Sequence, residues 1–163
     1  MKKLFVLVVL LLVSACGVKP TGVVPAGPAP TLRNTTGSGR GTDVILYLVI
    51  DGRVAPVTRS TGGGSVSVET ALSLLLAGPT SSEAADGYVS ALPRQTAPIA
   101  LAPGPPTTIS FPFPLKSIAA VGINQLVCTA VAALATDGQY SNDGTISISG
   151  TDVQLPYQTC QAF

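Results

Sequence analysis

The pattern of apolar residues first predicts a β-hairpin. Residues 44 to 50, VILYLVI, are apolar throughout and rich in β-branched side chains, as strands are. Asp51-Gly52 is a strong signal for a two-residue turn, and residues 53 to 59 follow as the returning strand. Because Pro56 has no N–H to donate, we expect this second strand at a sheet edge or at a bulge.

Two later segments have helical spacing instead. In residues 66 to 77 apolar positions recur at i, i+3, i+4, i+7 and i+8, with Ser67 as the expected N-cap. Gly78-Pro79 ends this helix, since glycine favours the residue past a helix end and proline cannot continue it. A similar apolar face predicts a second helix within residues 117 to 135.

Shorter strands complete the pattern. Residues 87 to 93 and 145 to 149 predict one strand each, and residues 108 to 114 predict another whose prolines would place it at an edge. Residues 94 to 107 are rich in proline and alanine and predict no element. The order of elements predicts a single α/β domain over residues 43 to 163.

The first residues have the pattern of an export signal. A pair of lysines precedes ten apolar residues, 4 to 13, about half of the roughly 20 that a membrane-spanning helix needs. Small residues then lead to Cys16 in VSAC, which resembles the lipobox of bacterial lipoproteins. The resemblance implies a signal peptide, residues 1 to 15, cleaved before a lipidated, palmitate-bearing Cys16. The alternative is an ordinary secretory signal with a chance cysteine.

The segment after Cys16 is interpreted as a tether. Residues 16 to 42 are rich in glycine, proline, serine and threonine and have no apolar period. We therefore expect a domain held by its lipid at the extracytoplasmic face of the cell membrane.

Cys128 and Cys160 remain once Cys16 is assigned to the anchor. Outside the cytoplasm, two thiols in a small domain usually form a disulfide. A reactive or metal-binding thiol pair is the alternative, but the sequence has no histidine and no CxxC spacing to support it.

Composition excludes several classes of function. Charged residues make up only 10% of the chain and the formal net charge is +1, so no basic surface is available for nucleic acid. The absence of histidine excludes every mechanism that needs imidazole. The glycine-rich STGGGS, residues 60 to 65, has no lysine of a phosphate-binding loop.

The acidic residues do not form a convincing catalytic set. Four of the six aspartates precede glycine, which is typical of turns. Glu69 suits the start of a helix and Glu83 follows Gly-Pro-Thr, so a carboxylate pair for glycoside cleavage is only a formal alternative. SNDG, residues 141 to 144, is a fragment of a calcium loop or, more simply, a surface turn. We expect no enzyme, no cofactor and no metal site.

The first strand raises a question about its second face. Val44, Leu46, Leu48 and Ile50 lie on one face, but Ile45, Tyr47 and Val49 on the other are apolar too. Either the chain after residue 150 covers this second face, or a partner binds at Tyr47 and Val49.

Four segments in order resemble the GerMN domain, a family named from sporulation and spore-germination proteins. They are the hairpin VILYLVIDGRVAPVTR, the helix-and-stop ALSLLLAGPTSSEAADGYVSALP, the helix QLVCTAVAALA and the closing TISISGTDVQLP. The match covers residues 44 to 155, although residues 94 to 116 are richer in proline than the family pattern. The cysteine pair is not part of that pattern.

The resemblance implies a two-layer α/β sandwich, a small mixed sheet with two helices on one face, similar to the ring-building modules of envelope assemblies. It further implies a non-catalytic domain that docks or scaffolds in a cell-envelope complex related to sporulation, germination or the wall. The class of partner that it implies is an envelope protein. The alternative is a lipoprotein that binds a cell-wall glycan or another small ligand, which would need exposed aromatic side chains.

Overall fold

The computed structural model describes residues 43–62, 66–96, 98–138 and 144–162. The predicted signal peptide, Cys16 and the tether lie outside the described residues. So do the centre of the glycine-rich loop and most of the SNDG turn.

The predicted hairpin is present. β1 (Asp43–Ile50) and β2 (Arg53–Ser60) pair antiparallel in an unbroken register. Asp51 and Gly52 have φ angles of 52° and 75°, as a two-residue turn with both central residues in the left-handed region requires. β2 pairs with β1 alone, which confirms the edge position predicted from Pro56.

Both predicted helices are present, and a third, short helix lies between them. They are α1 (Val68–Leu76), the short α2 (Ser81–Ala85) and α3 (Ala120–Thr136). The Ser67 hydroxyl caps α1 by accepting from the N–H of Thr70. α3 has no side-chain cap at its N-terminus, so its start is held by the packing of its buried face rather than by a cap.

The remaining strands form a second, four-stranded sheet. Its order is β3 (Ala100–Ala102), β4 (Thr107–Ser110), β5 (Ile146–Ser149) and β6 (Gln154–Gln158). β4 and β5 are parallel, with α3 as the crossover between them, and the other pairs are antiparallel. The mixed α/β class is confirmed, with the strands divided between a hairpin and a mixed sheet.

Two strand predictions need correction. The strand predicted for residues 108 to 114 stops at Ser110, before both prolines, and β4 lies inside its sheet between β3 and β5 rather than at an edge. Residues 87 to 93 contribute a single bridge, between Val89 and Val49, because the chain turns away directly after it.

One core joins both sheets to the helices. α3 contacts β1, β2, β5 and α1, and its apolar face is buried between them. Leucines from β1 and α1 meet isoleucines from the mixed sheet, and the fully buried members include Leu46, Leu48, Leu72, Leu75, Ile109, Leu126 and Ile148. α3 is thus the central element, and its polar residues reach the hairpin on one side and the C-terminal segment on the other.

Candidate functional site

The free edge of β1 is closed by polar side chains of α3. The N–H of Tyr47 donates to the hydroxyl of Thr129 at 2.9 Å, and the carbonyl of Tyr47 accepts from the amide of Gln125 at 3.0 Å. The Gln125 amide oxygen also accepts from the N–H of Ala91 at 2.8 Å. Gln125 and Thr129 are fully buried, so they take the place of a neighbouring strand.

The same edge is protected further along. Val49 exchanges two backbone hydrogen bonds with Val89, at 2.9 and 2.8 Å. The backbone N–H and carbonyl of Tyr47 face α3, so its register partner Pro56 has no hydrogen bond to make with β1. The ring of Pro56 interrupts the outer edge of β2. From Tyr47 to Val49 the hairpin is therefore closed to an added strand on both sides.

The Gly-Pro-Thr segment is held by an arginine from β2. Arg59 makes a bidentate ion pair with Glu83, with nitrogen–oxygen distances of 2.8 and 2.6 Å. Its guanidinium also donates to the carbonyls of Leu74 and Gly78 at the end of α1. One side chain therefore ties β2 to the end of α1 and the start of α2.

Glu83 also belongs to a capping box. The Thr80 hydroxyl accepts from the N–H of Glu83, and the Glu83 carboxylate accepts from the N–H of Thr80. The hydrogen bonds from Arg59 lower the pKa of Glu83 to about 2, against the desolvation that raises it. Gly78 between the two helices has a φ of 85°, which favours glycine. The most distinctive motif of the sequence therefore has a structural role.

The second face of β1 is covered by the C-terminal segment only in part: Ile45 is 40% exposed, and Val49 is the buried member of the face. Val49 is only 5% exposed and packs with Val54 and Cys128, while Cys160 and Ala162 lie against the same cluster. Tyr47 is half-buried at its margin. The tail therefore covers Val49, which is not an accessible contact for a partner, and leaves Ile45 and part of Tyr47 at the surface.

The predicted disulfide fixes this segment. Cys128 of α3 and Cys160 are joined by a disulfide. One helical turn earlier, the Asn124 side chain bonds both backbone groups of Gln161, donating to its carbonyl and accepting from its N–H. These two attachments hold residues 157 to 162 along the first half of α3.

A groove of about 340 Å³ lies between α3 and the attached segment. Its lining is Ala120, Ile123, Asn124, Val127, Tyr157, Gln158, Thr159 and Gln161. None of these side chains carries a charge. Apolar groups come from α3, and amide and hydroxyl groups come mainly from the chain that leads to and follows Cys160.

Tyr157 stands out in this lining. Its side chain is 68% exposed, and its φ of 54° lies in the left-handed region that a bulky residue rarely adopts. The hydroxyls of Tyr157 and Thr159 have no hydrogen-bond partner among the described residues. Phe111 and Phe113, by contrast, are buried and pack against each other. Tyr157 is therefore an aromatic surface supplied by the fold and available to a ligand.

The other perturbed carboxylate is also engaged in backbone contacts. Desolvation raises the pKa of Asp152, but the N–H donors of Leu115 and Lys116 together outweigh it and leave that pKa below its usual value. Within the described ranges no group of three histidine, cysteine, aspartate or glutamate side chains is close enough to hold a metal ion.

The groove was not identified from the sequence. Asn124 is one of several polar residues in a predicted helix, and Tyr157 follows a proline. Neither spacing nor composition indicates that they belong to a binding site. The available signal was the cluster of amide and hydroxyl residues around Cys160 in QTCQ. This cluster indicates a site only once the disulfide is known to place it beside α3.

Comparison with family models, curated proteins and solved structures found no match to this chain. In the part of the chain that the structure describes, no helix is long and apolar enough to cross a membrane.

Proposed function

We propose that this protein is a lipoprotein, anchored through Cys16 at the extracytoplasmic face of the membrane, whose GerMN-like domain docks without catalysis onto a component of a cell-envelope complex. The lipobox-like VSAC and the tether of residues 16 to 42 support the anchor. The Cys128–Cys160 disulfide fits an oxidising compartment.

The observation that carries the docking proposal is the groove beside α3. Its backbone is fixed by the disulfide and by Asn124, so its shape is already formed before a partner arrives. It presents an exposed aromatic ring among uncharged polar groups, the composition of many recognition surfaces.

The polar side chains outside the groove support a role without catalysis, because they make contacts within the fold. Glu83, Arg59, Gln125 and Thr129 are engaged in the contacts that join the hairpin to the helices. A catalytic acid or base must reach a substrate, whereas Glu83 is held by Arg59 and the capping box.

Crosslinking in living cells tests this proposal. A photo-crosslinking amino acid is placed at Gln158 in the groove or at Ala84, which is exposed on α2. We expect the probe at Gln158 to capture an envelope component reproducibly, identified by mass spectrometry, and the probe at Ala84 not to capture it. Equal capture by both probes, or none by the probe at Gln158, would contradict docking through the groove.

A separate experiment tests the anchor. Cys16→Ser removes the sulfur to which the lipid would be attached. We expect the variant to leave the membrane fraction or to accumulate with its signal peptide uncleaved, and unchanged fractionation would contradict a lipid at Cys16.

A second candidate function is binding of a cell-wall glycan or small ligand, and Tyr157 favours it. Such sites need an exposed aromatic side chain beside hydrogen-bonding groups, and Tyr157 meets that requirement.

A further inference from the structure

We propose that the groove between α3 and the C-terminal segment binds a neutral saccharide chain, with the ring of Tyr157 as its stacking surface. This inference rests on the groove of the proposed function and deepens its second candidate, the binding of a glycan, by naming the chemical class of the ligand.

The ring of Tyr157 is suited to the C–H face of a sugar. An aromatic face carries partial negative charge, and the C–H groups on one side of a pyranose carry partial positive charge. Tyr157 is 68% exposed, and its neighbours are held by the disulfide at Cys160. Its φ of 54° belongs to a β-bulge, because β6 has one more residue than β5 between the pairs Ile146–Gln158 and Ile148–Leu155. Bulges redirect side chains and are frequent next to functional sites.

The charge of the lining selects among ligand classes. No aspartate, glutamate, lysine or arginine lines the groove. An anionic phosphate or a cationic peptide would lose hydration on entering without gaining an opposite charge. A neutral ligand with many hydroxyl or amide groups does not carry this cost.

The remaining lining supplies both kinds of contact that a sugar needs. The Thr159 hydroxyl has no partner among the described residues, and Gln158 lies beside it. Ile123 and Val127 form an apolar floor one helical turn apart, where the methyl of an N-acetyl group could pack. At about 340 Å³ the groove is near the lower end of the roughly 300–1,000 Å³ of ligand sites, so it suits one or two sugar units of a chain.

Calorimetric titration of the full-length protein in detergent tests the inference. The probes are the tetramer of N-acetylglucosamine, a maltose-type tetramer, and the fully deacetylated, cationic counterpart of the first. We expect at least one neutral tetramer to bind, and the N-acetylated tetramer to bind at least tenfold more tightly than its cationic counterpart.

Two variants make the test specific. Tyr157→Asn removes the ring but keeps a residue that tolerates the left-handed backbone, and we expect it to weaken binding at least tenfold. Val89→Thr changes another exposed apolar residue, 54% exposed and outside the lining, and should bind like the wild type. An intact disulfide and an unchanged circular dichroism spectrum establish that both variants fold.

Two results would overturn the inference: no binding of either neutral tetramer, or undiminished binding by Tyr157→Asn. If the probe at Gln158 nevertheless captures a protein in cells, the docking function stands and only the ligand class is wrong. If that probe captures nothing and no tetramer binds, both proposals fail.

Discussion

The Arg59 junction and the groove between α3 and the C-terminal segment lie in the same domain but differ in whether their polar groups have hydrogen-bond partners. At the Arg59 junction, which comprises Arg59, Gly78, Thr80 and Glu83, each side-chain group described has a partner within the fold. At the groove, the exposed ring of Tyr157 and the hydroxyls of Tyr157 and Thr159 have none among the described residues. A distinctive motif can thus serve the fold entirely, while the groove that we propose as the binding site is lined by residues with no motif.

The edge of β1 resembles the Arg59 junction, because its backbone groups also have hydrogen-bond partners within the fold. Gln125 and Thr129 satisfy the backbone of Tyr47, and Val89 satisfies that of Val49. Because this edge of β1 is closed at Tyr47 and Val49, a partner at that position would bind side chains rather than add a strand to the hairpin. The following predictions test the contrast, from the largest expected effect to the smallest.

Removal of the disulfide should have the largest effect on stability. The bond closes a loop of sequence separation 32, for which the chain-entropy model gives about 3–4 kcal/mol. We expect the double variant Cys128→Ala, Cys160→Ala to lose that much free energy of unfolding in urea. It should also lose capture by the probe at Gln158, because the groove depends on the attached segment.

The control for this variant is the wild-type protein treated with reductant after denaturation and refolded. A double variant as stable as the wild type, with capture intact, would show that the disulfide does not shape the groove.

Replacement of Gln125 should have the second-largest effect on stability, because Gln125 closes the edge of β1. Gln125→Leu leaves the N–H of Ala91 and the carbonyl of Tyr47 without partners, at roughly 1–3 kcal/mol for each unpaired group when it is buried. Since Tyr47 and Ala91 are only partly buried, we expect a total loss of about 2–3 kcal/mol by chemical denaturation.

Gln158→Leu is the matched control, because it makes the same chemical change in the groove. Gln158 makes only a local bond to the carbonyl of Pro156, so its replacement should cost less than about 0.5 kcal/mol. Equal losses from the two variants would remove the distinction between a closed and an open region.

Acid should weaken the Arg59 junction. The pKa of Glu83 is about 2 in the folded protein and 4.5 in the unfolded chain, so its stabilisation is fully present above pH 4.5 and is lost as the pH falls towards 2. At 1.36 kcal/mol per pKa unit, and discounted for solvent near the ion pair, this is about 2 kcal/mol.

Urea unfolding at a series of pH values from 6 to 2 measures this dependence. Glu83→Gln should be less stable than the wild type at pH 6 and should lose much less stability on acidification. Asp152, whose pKa is also lowered, adds a smaller dependence of the same sign that both proteins share. Parallel profiles for the two proteins would contradict the assigned role of Glu83.

Replacement of Tyr157 should change stability least. The ring is exposed and the backbone is in a conformation that asparagine tolerates better, so Tyr157→Asn should alter the free energy of unfolding by less than about 0.5 kcal/mol. Thermal and urea denaturation measure this. A loss above about 1 kcal/mol would mean that Tyr157 supports the fold and is not reserved for a ligand.

The sequence predicted the local elements well because their signals are local. Asp51-Gly52, Ser67 and Gly78 act within a few residues of chain, and the structure places each of them as expected. The position of β4 could not be predicted in this way. Its prolines indicated an edge, but they lie beyond the strand, and the parallel pairing with β5 depends on a crossover through α3.

The groove illustrates a different limit. The pairing of Cys128 with Cys160 was predicted, yet the surface that it creates requires knowledge of which face of α3 meets Tyr157 and Gln161. The interface proposed at Tyr47 and Val49 shows the reverse problem. An apolar second face was correctly noted, but its coverage by Cys160 and Ala162 depends on the tertiary path of the tail.

One measurement tests the contrast between the two regions most directly. The isotopically labelled full-length protein in detergent is titrated with the host's own solubilised envelope, and amide chemical shifts are followed residue by residue. The account predicts shifts at Ile123, Tyr157 and Thr159, with Arg59, Thr80 and Glu83 unmoved. Shifts centred on the Arg59 junction, with the groove silent, would contradict it.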